Sequence, residues 1–259
     1  MIDIYYRTTS RRNEKGNRPE WFSFEKCWNN LLKTRGDNLI TVIHDGPVEA
    51  TYFKDLPKNI KLQEIDSHTL LPTLISEWEE KKETYLDWDD SGTSYVKRME
   101  KPDTEKAAGA LMWDYIYNKR REITSKLIYI IEDDYLHLPI WTQILEDIFS
   151  IYNDIHYVCL YDHPDKYSER YKGLQSQVLL SNYCHWRTVP SSCGTFAMKA
   201  QTLSEDFNIH RDNLGDYNKF IKLTEKNRNF ISPIPGVATH CVIPFFSPFI
   251  DWEKVQHNG

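Results

Sequence analysis

The chain has 259 residues and a net charge of −6 at pH 7, with 40% hydrophobic and 27% charged residues. This is the composition of a soluble globular protein, and the length allows one large domain or two small ones. No apolar run approaches the roughly 18 residues that a membrane span needs, and the negative net charge gives no indication of nucleic acid as a partner.

Short apolar runs alternate with segments of helical periodicity along most of the chain. In chain order they predict a strand at 2–6, a helix at 22–34, strands at 39–43 and 60–65, a helix at 70–82 that runs into an acidic loop at 87–92, and a helix at 104–121. A strand at 127–131, a helix at 139–151, a strand at 156–161, short strands within 178–198 and a helix at 214–226 follow. The tail from Phe230 is predicted to be loop-rich.

Strands that alternate with helices predict an α/β protein whose sheet is mainly parallel and covered on both faces. The sequence shows no internal repeats, no low-complexity tract and no interdomain linker. We therefore expect a single domain over residues 1–259.

The most informative stretch is the predicted strand at 127–131, because it runs straight into Glu132, Asp133 and Asp134. Five consecutive apolar residues predict a strand that is buried on both faces. Burying an unpaired carboxylate costs several kcal/mol, so this strand is expected to end where it delivers these groups to solvent or to a metal. In open α/β sheets, ligands bind at the edge beyond the carboxyl ends of the strands.

The spacing of the three carboxylates favours a shared ligand site. Glu132 and Asp134, two positions apart, are expected to point one way and Asp133 the other. Such a cluster suits Mg²⁺ or Mn²⁺, which takes one or two carboxylates together with oxygens of a bound diphosphate and water. One carboxylate would hold the metal and another a sugar or ribose hydroxyl; the alternative is a solvated acidic turn.

Three predicted strands end in polar residues in a distinctive order. The first ends in Tyr5-Tyr6-Arg7-Thr8, the second in Asp45-Gly46, and the middle strand in the acidic triplet. This order, over roughly residues 1–245, resembles that of nucleotide-sugar glycosyltransferases of the GT-A fold. The family's DxD motif appears here as residues 132–134, with Glu in its first position.

The resemblance implies a Rossmann-like GT-A fold, a mixed and mainly parallel sheet flanked by helices. Residues 1–135 would form the nucleotide-sugar-binding half, and residues 136–259 the acceptor-binding half with the C-terminal tail. On the donor side, the family holds the base and ribose with the loop after the first strand, which matches Tyr5, Arg7 and Thr8. In the family, an acidic residue after the second strand also contacts the base or ribose, and Asp45 matches it. The alternative for Asp45 is a turn residue, because a glycine follows it.

The resemblance also implies a metal-binding set. Glu132 and Asp133 would contact the nucleotide sugar, while Asp134 and the C-terminal His240 would bind Mn²⁺ or Mg²⁺. Imidazole and carboxylate can together complete a Mn²⁺ shell around a diphosphate. The alternative for His240 is a core histidine, because it lies among small and apolar residues in the sequence.

On the acceptor side, residues 189–197 are similar to the family's glycine-containing strand. There Gly194 would let the backbone approach a sugar, with Thr195 beside it; the alternative for Gly194 is a simple bulge. Residues 214–218 resemble the family's acidic motif at a helix start, so Asp216 would remove the acceptor proton if the enzyme inverts configuration. Its alternative is a favourable charge at a helix N-terminus. Asp162 and His163 are reserve candidates for acceptor contact or base.

The resemblance implies metal-dependent transfer of a sugar from a nucleoside-diphosphate sugar to an acceptor hydroxyl. A UDP-sugar is the first candidate donor. A glycan is the default acceptor. Residues 7–35 form a basic segment with eight Lys or Arg against three Glu, so a hydroxymethylated DNA base is a second candidate acceptor. The size and layout of the chain are similar to those of small phage- or virus-encoded members of the family. The rival functions are a nucleotidyltransferase and a non-catalytic nucleotide- or carbohydrate-binding module.

Two features bear on the compartment. The five cysteines are odd in number and scattered without a CxxC pair, and they are Cys27, Cys159, Cys184, Cys193 and Cys241. The N-terminus lacks the layout of a signal peptide. Both features predict reduced thiols and a cytoplasmic protein.

Overall fold

The computed structural model describes residues 1–11, 17–48, 53, 56–88, 93–212 and 216–258. The strands within these ranges are β1 (Ile2–Thr9), β2 (Leu39–Asp45), β3 (Ile60–Ile65), β4 (Thr84–Trp88), β5 (Ser94–Arg98), β6 (Leu127–Glu132), β7 (Tyr135–His137), β8 (Tyr157–Val158), β9 (Val178–Leu180), β10 (His185–Thr188), β11 (Phe196–Lys199), β12 (Phe230–Ile234) and β13 (Ala238–His240). The described α-helices are α1 (Phe24–Thr34), α2 (Ser67–Lys81), α3 (Thr104–Lys119), α4 (Trp141–Ile151), α5 (Ala200–Asp212), α6 (Asp216–Glu225) and α7 (Trp252–Asn258). None of these helices is long and apolar enough to cross a bilayer.

Nine of the strands form one sheet, in the order β3-β2-β1-β6-β11-β8-β12-β10-β9. The first four strands are parallel to one another, and β8 is parallel to β12. Strands β11, β10 and β9 run antiparallel to their neighbours. Two more pairs, β13 with β7 and β4 with β5, lie outside this sheet. The mixed sheet flanked by helices confirms the predicted α/β class.

Strand β6 lies at the centre of the sheet, between β1 and β11. Residues 128–131 are at most 1% exposed, because both faces of the strand are covered. A strand buried on both faces requires an unbroken apolar run, which is what residues 127–131 provide. The run stops at Glu132, where the strand ends and the side chain becomes partly exposed.

The parallel register brings the polar strand ends to one edge. Arg7 pairs with Glu132 across β1 and β6, and Thr9 pairs with Asp45 across β1 and β2. Parallel strands present their carboxyl ends at the same edge, where ligands bind in open α/β sheets. The fold thus places the acidic triplet beside the end of the first strand.

The C-terminal tail closes the other side of this edge. Strand β13 pairs with β7 so that His240 lies opposite Tyr135, and the Cys241 amide donates to the Asp134 carbonyl oxygen at 2.9 Å. The prediction of a loop-rich tail from Phe230 is therefore wrong in part, because β12, β13 and α7 all lie within that tail.

Further elements lie outside the predicted set, among them α5, β7 and the β4–β5 hairpin. Helix α5 buries the polar residues Thr202, Asp206 and His210 beside Leu203, so its buried face does not show as an apolar stripe. Strands β4 and β5 form a hairpin across the predicted acidic loop, whose residues 89–92 lie outside the described ranges. The predicted helix at 214–226 is present from Asp216, and its first two positions are outside those ranges.

Candidate functional site

Asp134 and His240 lie in direct contact at the edge of the sheet. His240 Nε2 is 2.9 Å from Asp134 Oδ2, and Arg18 Nη2 donates to the same oxygen at 2.8 Å. The other oxygen, Asp134 Oδ1, is buried and accepts no hydrogen bond from the described part of the chain. The structure thus brings together the two residues that the sequence predicts to bind the metal, and their metal-binding role stays a prediction.

This cluster stabilises the ionised form of Asp134. Burial raises the pKa of this carboxyl, but the His240 imidazole and the Arg18 guanidinium lower it more strongly, to about 2. The pKa of His240 is raised from its ordinary value, since the Asp134 carboxylate outweighs the lowering effect of burial. The Tyr135 ring stacks on His240 with centroids 5.1 Å apart and planes 6° from parallel, which fixes the imidazole orientation.

Glu132 lies between β1 and β11. Arg7 Nη1 is 3.6 Å from Glu132 Oε1. The Thr195 hydroxyl accepts from the Glu132 amide at 3.0 Å and lies 3.3 Å from its Oε2. A Cβ atom at Gly194 would be 2.8 Å from Glu132 Oε1, so the glycine makes room for this carboxylate. The close approach that Gly194 permits in this structure is to Glu132, whereas the sequence predicts an approach to a sugar.

The environment of Glu132 favours its protonated form. Burial raises the pKa of this carboxyl to about 7. Arg7 opposes the rise, while the negative charges of Asp134 and Asp216 add to it. The charges of Asp134 and Asp216 therefore both act on Glu132, which a solvated acidic turn would not require.

Asp133 turns toward β1. The Thr8 hydroxyl donates to Asp133 Oδ2 at 2.6 Å, and the Tyr6 hydroxyl lies 3.4 Å from the Asp133 carbonyl oxygen. The structure thus places Thr8 at the acidic triplet, with its hydroxyl engaged by a carboxylate, and its predicted contact with the nucleotide stays a prediction.

Asp45 and Tyr5 are placed differently from the rest of the predicted donor residues. Asp45 is buried, and its oxygens accept from the Ser67 amide at 2.8 Å, the Ser67 hydroxyl at 2.8 Å and Arg11 Nη1 at 3.0 Å. It therefore holds the first turn of α2 in place. Tyr5 is 5% exposed and belongs to the core. Burial raises the pKa of Tyr5, as does the charge of Asp3 near the start of β1, away from the edge where β1 ends. The structure does not bring the Tyr5 side chain to the Glu132–Asp134 edge.

Asp162 and His163, the reserve candidates for acceptor contact or base, follow β8. Asp162 is fully buried, and its carboxylate accepts from Arg187 Nη2 at 2.5 Å and from the Tyr167 hydroxyl at 2.6 Å. Burial raises its pKa, which these hydrogen bonds oppose. His163 Nδ1 accepts from the Asp165 amide at 3.1 Å. His163 lines a cavity, whereas the Asp162 carboxylate is already engaged within the protein.

Two cavities meet at Asp216, the first residue of α6. The larger, of about 470 Å³, lies between α2, α3, α5, α6 and the β4–β5 hairpin. The smaller, of about 280 Å³, is bordered by His163, Lys166 and Cys193 as well as by Asp216. The side chain of Asp216 is 45% exposed and is paired with Lys219 Nζ at 3.0 Å.

Arg18 is the residue of this site that sequence reasoning did not single out. Its Nη1 donates to the Cys241 carbonyl oxygen at 2.8 Å, and its guanidinium lies over the Phe22 ring at 4.7 Å. Its position depends on the bridge between Asn17 and Ile243, which ties the N-terminal loop to the C-terminal tail. Only its membership of the basic segment at residues 7–35 gave a signal.

No protein-family model matches the chain, and no curated protein matches it in sequence. Solved structures of similar fold include mouse xyloside xylosyltransferase 1, with 8% identity, a TM-score of 0.39 and coverage of 88% of this chain and 84% of that one. The galactosyltransferase LgtC in complex with donor and acceptor sugar analogues has 11% identity, a TM-score of 0.40 and coverage of 85% and 69%.

A CMP:2-keto-3-deoxy-manno-octonic acid synthetase complexed with CTP is also similar, with 10% identity, a TM-score of 0.47 and coverage of 99% of this chain and 97% of that one. Glycosyltransferases and a nucleotide-transferring enzyme are therefore both among the similar folds. These similarities are too low to assign an activity to this chain.

Proposed function

We propose that the chain is a metal-dependent glycosyltransferase that moves a sugar from a nucleoside-diphosphate sugar to a hydroxyl of an acceptor glycan. A UDP-sugar is the first candidate donor. The observation that carries the proposal is the contact between Asp134 and His240 at the carboxyl edge of the sheet, with Glu132 beside them. A carboxylate, an imidazole and two guanidinium groups at one edge form a site for a divalent cation and a diphosphate.

The residues present fit a divalent cation whose coordination shell is completed by the substrate. No group of three or more His, Cys, Asp or Glu able to hold a metal is found in the described ranges, so a metal cage built from protein alone is not present there. Asp134 and His240 would supply one oxygen and one nitrogen ligand, and diphosphate and water would supply the rest. The buried, unpaired Asp134 Oδ1 agrees with such a ligand. An imidazole in the set favours Mn²⁺ over Mg²⁺.

When bound, the cation would offset the negative charge that develops on the departing nucleoside diphosphate. Arg7 and Arg18 would add hydrogen-bond donors for the same phosphate oxygens. Arg18 is held by the Cys241 carbonyl oxygen, and Arg7 Nη2 donates to the Glu105 carbonyl oxygen at 2.9 Å. Both guanidinium groups are thereby oriented before any ligand binds, which lowers the cost of binding.

Asp216 is the proposed base. It borders both cavities and is partly exposed, so an acceptor hydroxyl can reach it. In a displacement with inversion, the carboxylate would take the hydroxyl proton as the oxygen attacks the anomeric carbon. His163 lies on the wall of the smaller cavity and would contact the acceptor there. The roles of Tyr5, Asp45 and Asp162 stay predictions, because other parts of the protein engage or bury these side chains.

The test is a donor panel. The protein is incubated with UDP-, GDP-, dTDP- and ADP-sugars, with Mn²⁺ or with a chelator, and release of nucleoside diphosphate is measured. We expect Mn²⁺-dependent release from at least one donor, including slow transfer to water. Pyrophosphate release from a nucleoside triphosphate and a sugar 1-phosphate, without donor cleavage, would instead identify a nucleotidyltransferase. Binding of donor without any turnover would identify a binding module.

Gly194→Ala is expected to lower transfer by about ten- to a hundredfold with little effect on stability. The new methyl group would displace the flexible end of Glu132 by a few tenths of an ångström or more, and small misplacements at a reacting centre have effects of this size. Steady-state kinetics and a thermal melt measure the two quantities. Gly109→Ala is the matched control, since a Cβ there meets no atom within 4 Å. Full activity of Gly194→Ala would contradict a role for the Glu132 position.

A further inference from the structure

We propose that Tyr167, Phe245 and Phe249 form an aromatic platform that binds a neutral sugar ring of the acceptor. Their exposed fractions are 50%, 41% and 76%, although all three are large and apolar. The inference rests on the proposed function, because it names the acceptor as a saccharide and places its distal part on this surface. The platform lies next to the smaller cavity, because the Phe245 ring contacts His163 on the wall of that cavity.

Phe249 has an unusual backbone conformation, and burial of its ring is not the reason, because the ring is exposed. Its φ is 72°, in the left-handed region that a bulky residue rarely adopts. The surrounding loop is firmly held: the Ser247 amide donates to Thr239 Oγ1 at 2.8 Å, and Trp252 Nε1 donates to the Ser247 carbonyl oxygen at 2.8 Å. Gly236 leaves the space that Ser247 fills. Strain kept by a rigid frame, in a residue that stays exposed, is typical of a binding position.

The platform is continuous with the site. The Phe245 ring lies 5.7 Å from the His163 ring, which borders the smaller cavity together with Asp216. Tyr167 donates its hydroxyl to Asp162, the residue before His163, and its ring lies 6.3 Å from that of Phe249 at an angle of 84°. The Tyr167 and Phe249 rings therefore contact each other, and Phe245 lies against His163 at the wall of the smaller cavity.

The chemistry of this surface favours a neutral saccharide. Aromatic rings offer an apolar face for the C–H side of a pyranose, and sites for such ligands combine aromatic walls with a few polar groups. Residues 241–250 contain no Lys or Arg, and Asp251 and Glu253 follow them. Nucleic acid binding depends on cations that neutralise phosphates, and attraction to anionic lipid also needs basic residues. The loop offers neither, and the two cations beside Tyr167 are already paired: Lys166 with Asp165, and Arg187, which lies 4.8 Å from the Tyr167 ring, with Asp162.

The experiment measures binding of a panel of neutral hexasaccharides to the full chain by calorimetry, with cello-, malto-, laminari-, manno-, xylo- and chito-oligosaccharides as probes. We expect at least one to bind, and Phe249→Ala and Phe245→Ala each to weaken its binding by about tenfold. Phe249→Leu keeps an apolar side chain but lacks a ring, and is expected to weaken binding to a similar extent. Tyr183→Ala removes a ring of similar exposure, 51%, from the turn between β9 and β10 and is the matched control. Thermal melts confirm that each variant is folded.

The outcomes separate this inference from the proposed function. If donors are cleaved in the presence of Mn²⁺ but the Phe245 and Phe249 variants bind every saccharide normally, the platform is wrong and the transferase stands. If no donor is cleaved while saccharide binding depends on Phe249, the platform stands and the transferase is wrong. Absence of saccharide binding overturns the platform, as does Phe249-dependent binding to a short DNA duplex or to phosphatidylcholine vesicles in its place.

Discussion

We expect Asp134→Asn to lower sugar transfer on the order of a thousandfold while the protein stays folded. A divalent cation that offsets charge on a leaving diphosphate contributes several kcal/mol to the transition state, and each 1.4 kcal/mol is about a tenfold change in rate. The asparagine keeps the shape of the side chain and removes the charge that faces His240 and Arg18. Steady-state kinetics with the best donor of the panel measures the loss.

The fold is expected to tolerate this change. The side chains of Arg18 and His240 are 26% and 24% exposed, so water can solvate both when their shared anion is removed. Asp154→Asn, in an exposed turn, is the matched control and is expected to retain full activity. Direct Mn²⁺ titration by electron paramagnetic resonance, with UDP present, should show weaker binding for the Asp134 variant alone. Normal turnover by that variant would show that the metal assignment is wrong.

The central strands could be predicted because burial on both faces leaves a local mark. An unbroken apolar run such as residues 127–131 has few other stable positions in a soluble protein, and its end identifies the edge where polar groups emerge. The parallel order of β1, β2 and β6 then brings Arg7 and Glu132 into register. These features needed only neighbouring residues and the rule that ligands bind at that edge.

The partners of these residues could not be predicted in the same way. Arg18 reaches Asp134 only because Asn17 pairs with Ile243, a contact between opposite ends of the chain. Gly194 looks like any glycine in a strand until the neighbouring strand places Glu132 against it. Asp45 reads as a turn residue or a ribose contact, and its burial against Ser67 is decided by where α2 begins. Long-range packing of this kind leaves no periodic pattern.

The same limit applies to the residue with the largest expected effect on stability. Asp206 on α5 is 1% exposed, and its carboxylate accepts from Arg228 Nε at 2.7 Å, from Lys226 Nζ at 2.5 Å and from the Tyr157 hydroxyl at 2.7 Å. We expect Asp206→Asn to lower the free energy of unfolding by about 3–5 kcal/mol, because it removes the buried anion of Arg228 and leaves this largely buried guanidinium with only the partly exposed Glu205. Urea denaturation measures the change.

Glu205→Gln is the matched control for this prediction. Glu205 also accepts from Arg228, at 2.7 Å, but its side chain is 41% exposed. A partly exposed ion pair contributes about 1 kcal/mol or less, so the control should be nearly as stable as the unmodified protein. Equal losses in the two variants would mean that burial of Asp206 does not determine the effect.

The effect of Asp206 is expected to depend on pH. Burial raises the pKa of its carboxyl, but the hydrogen bonds from Arg228, Lys226 and Tyr157 outweigh burial and bring the pKa below its ordinary value. The folded protein therefore holds this proton less tightly than the unfolded chain does. Its stabilisation is complete above the ordinary aspartate pKa of about 3.9 and is lost as the pH falls through the lower pKa of the folded state. The difference in unfolding free energy between the unmodified protein and Asp206→Asn should thus be constant from about pH 7 to about pH 5 and shrink below about pH 4. A difference that stayed constant to about pH 3 would assign the effect of the substitution to packing and not to charge.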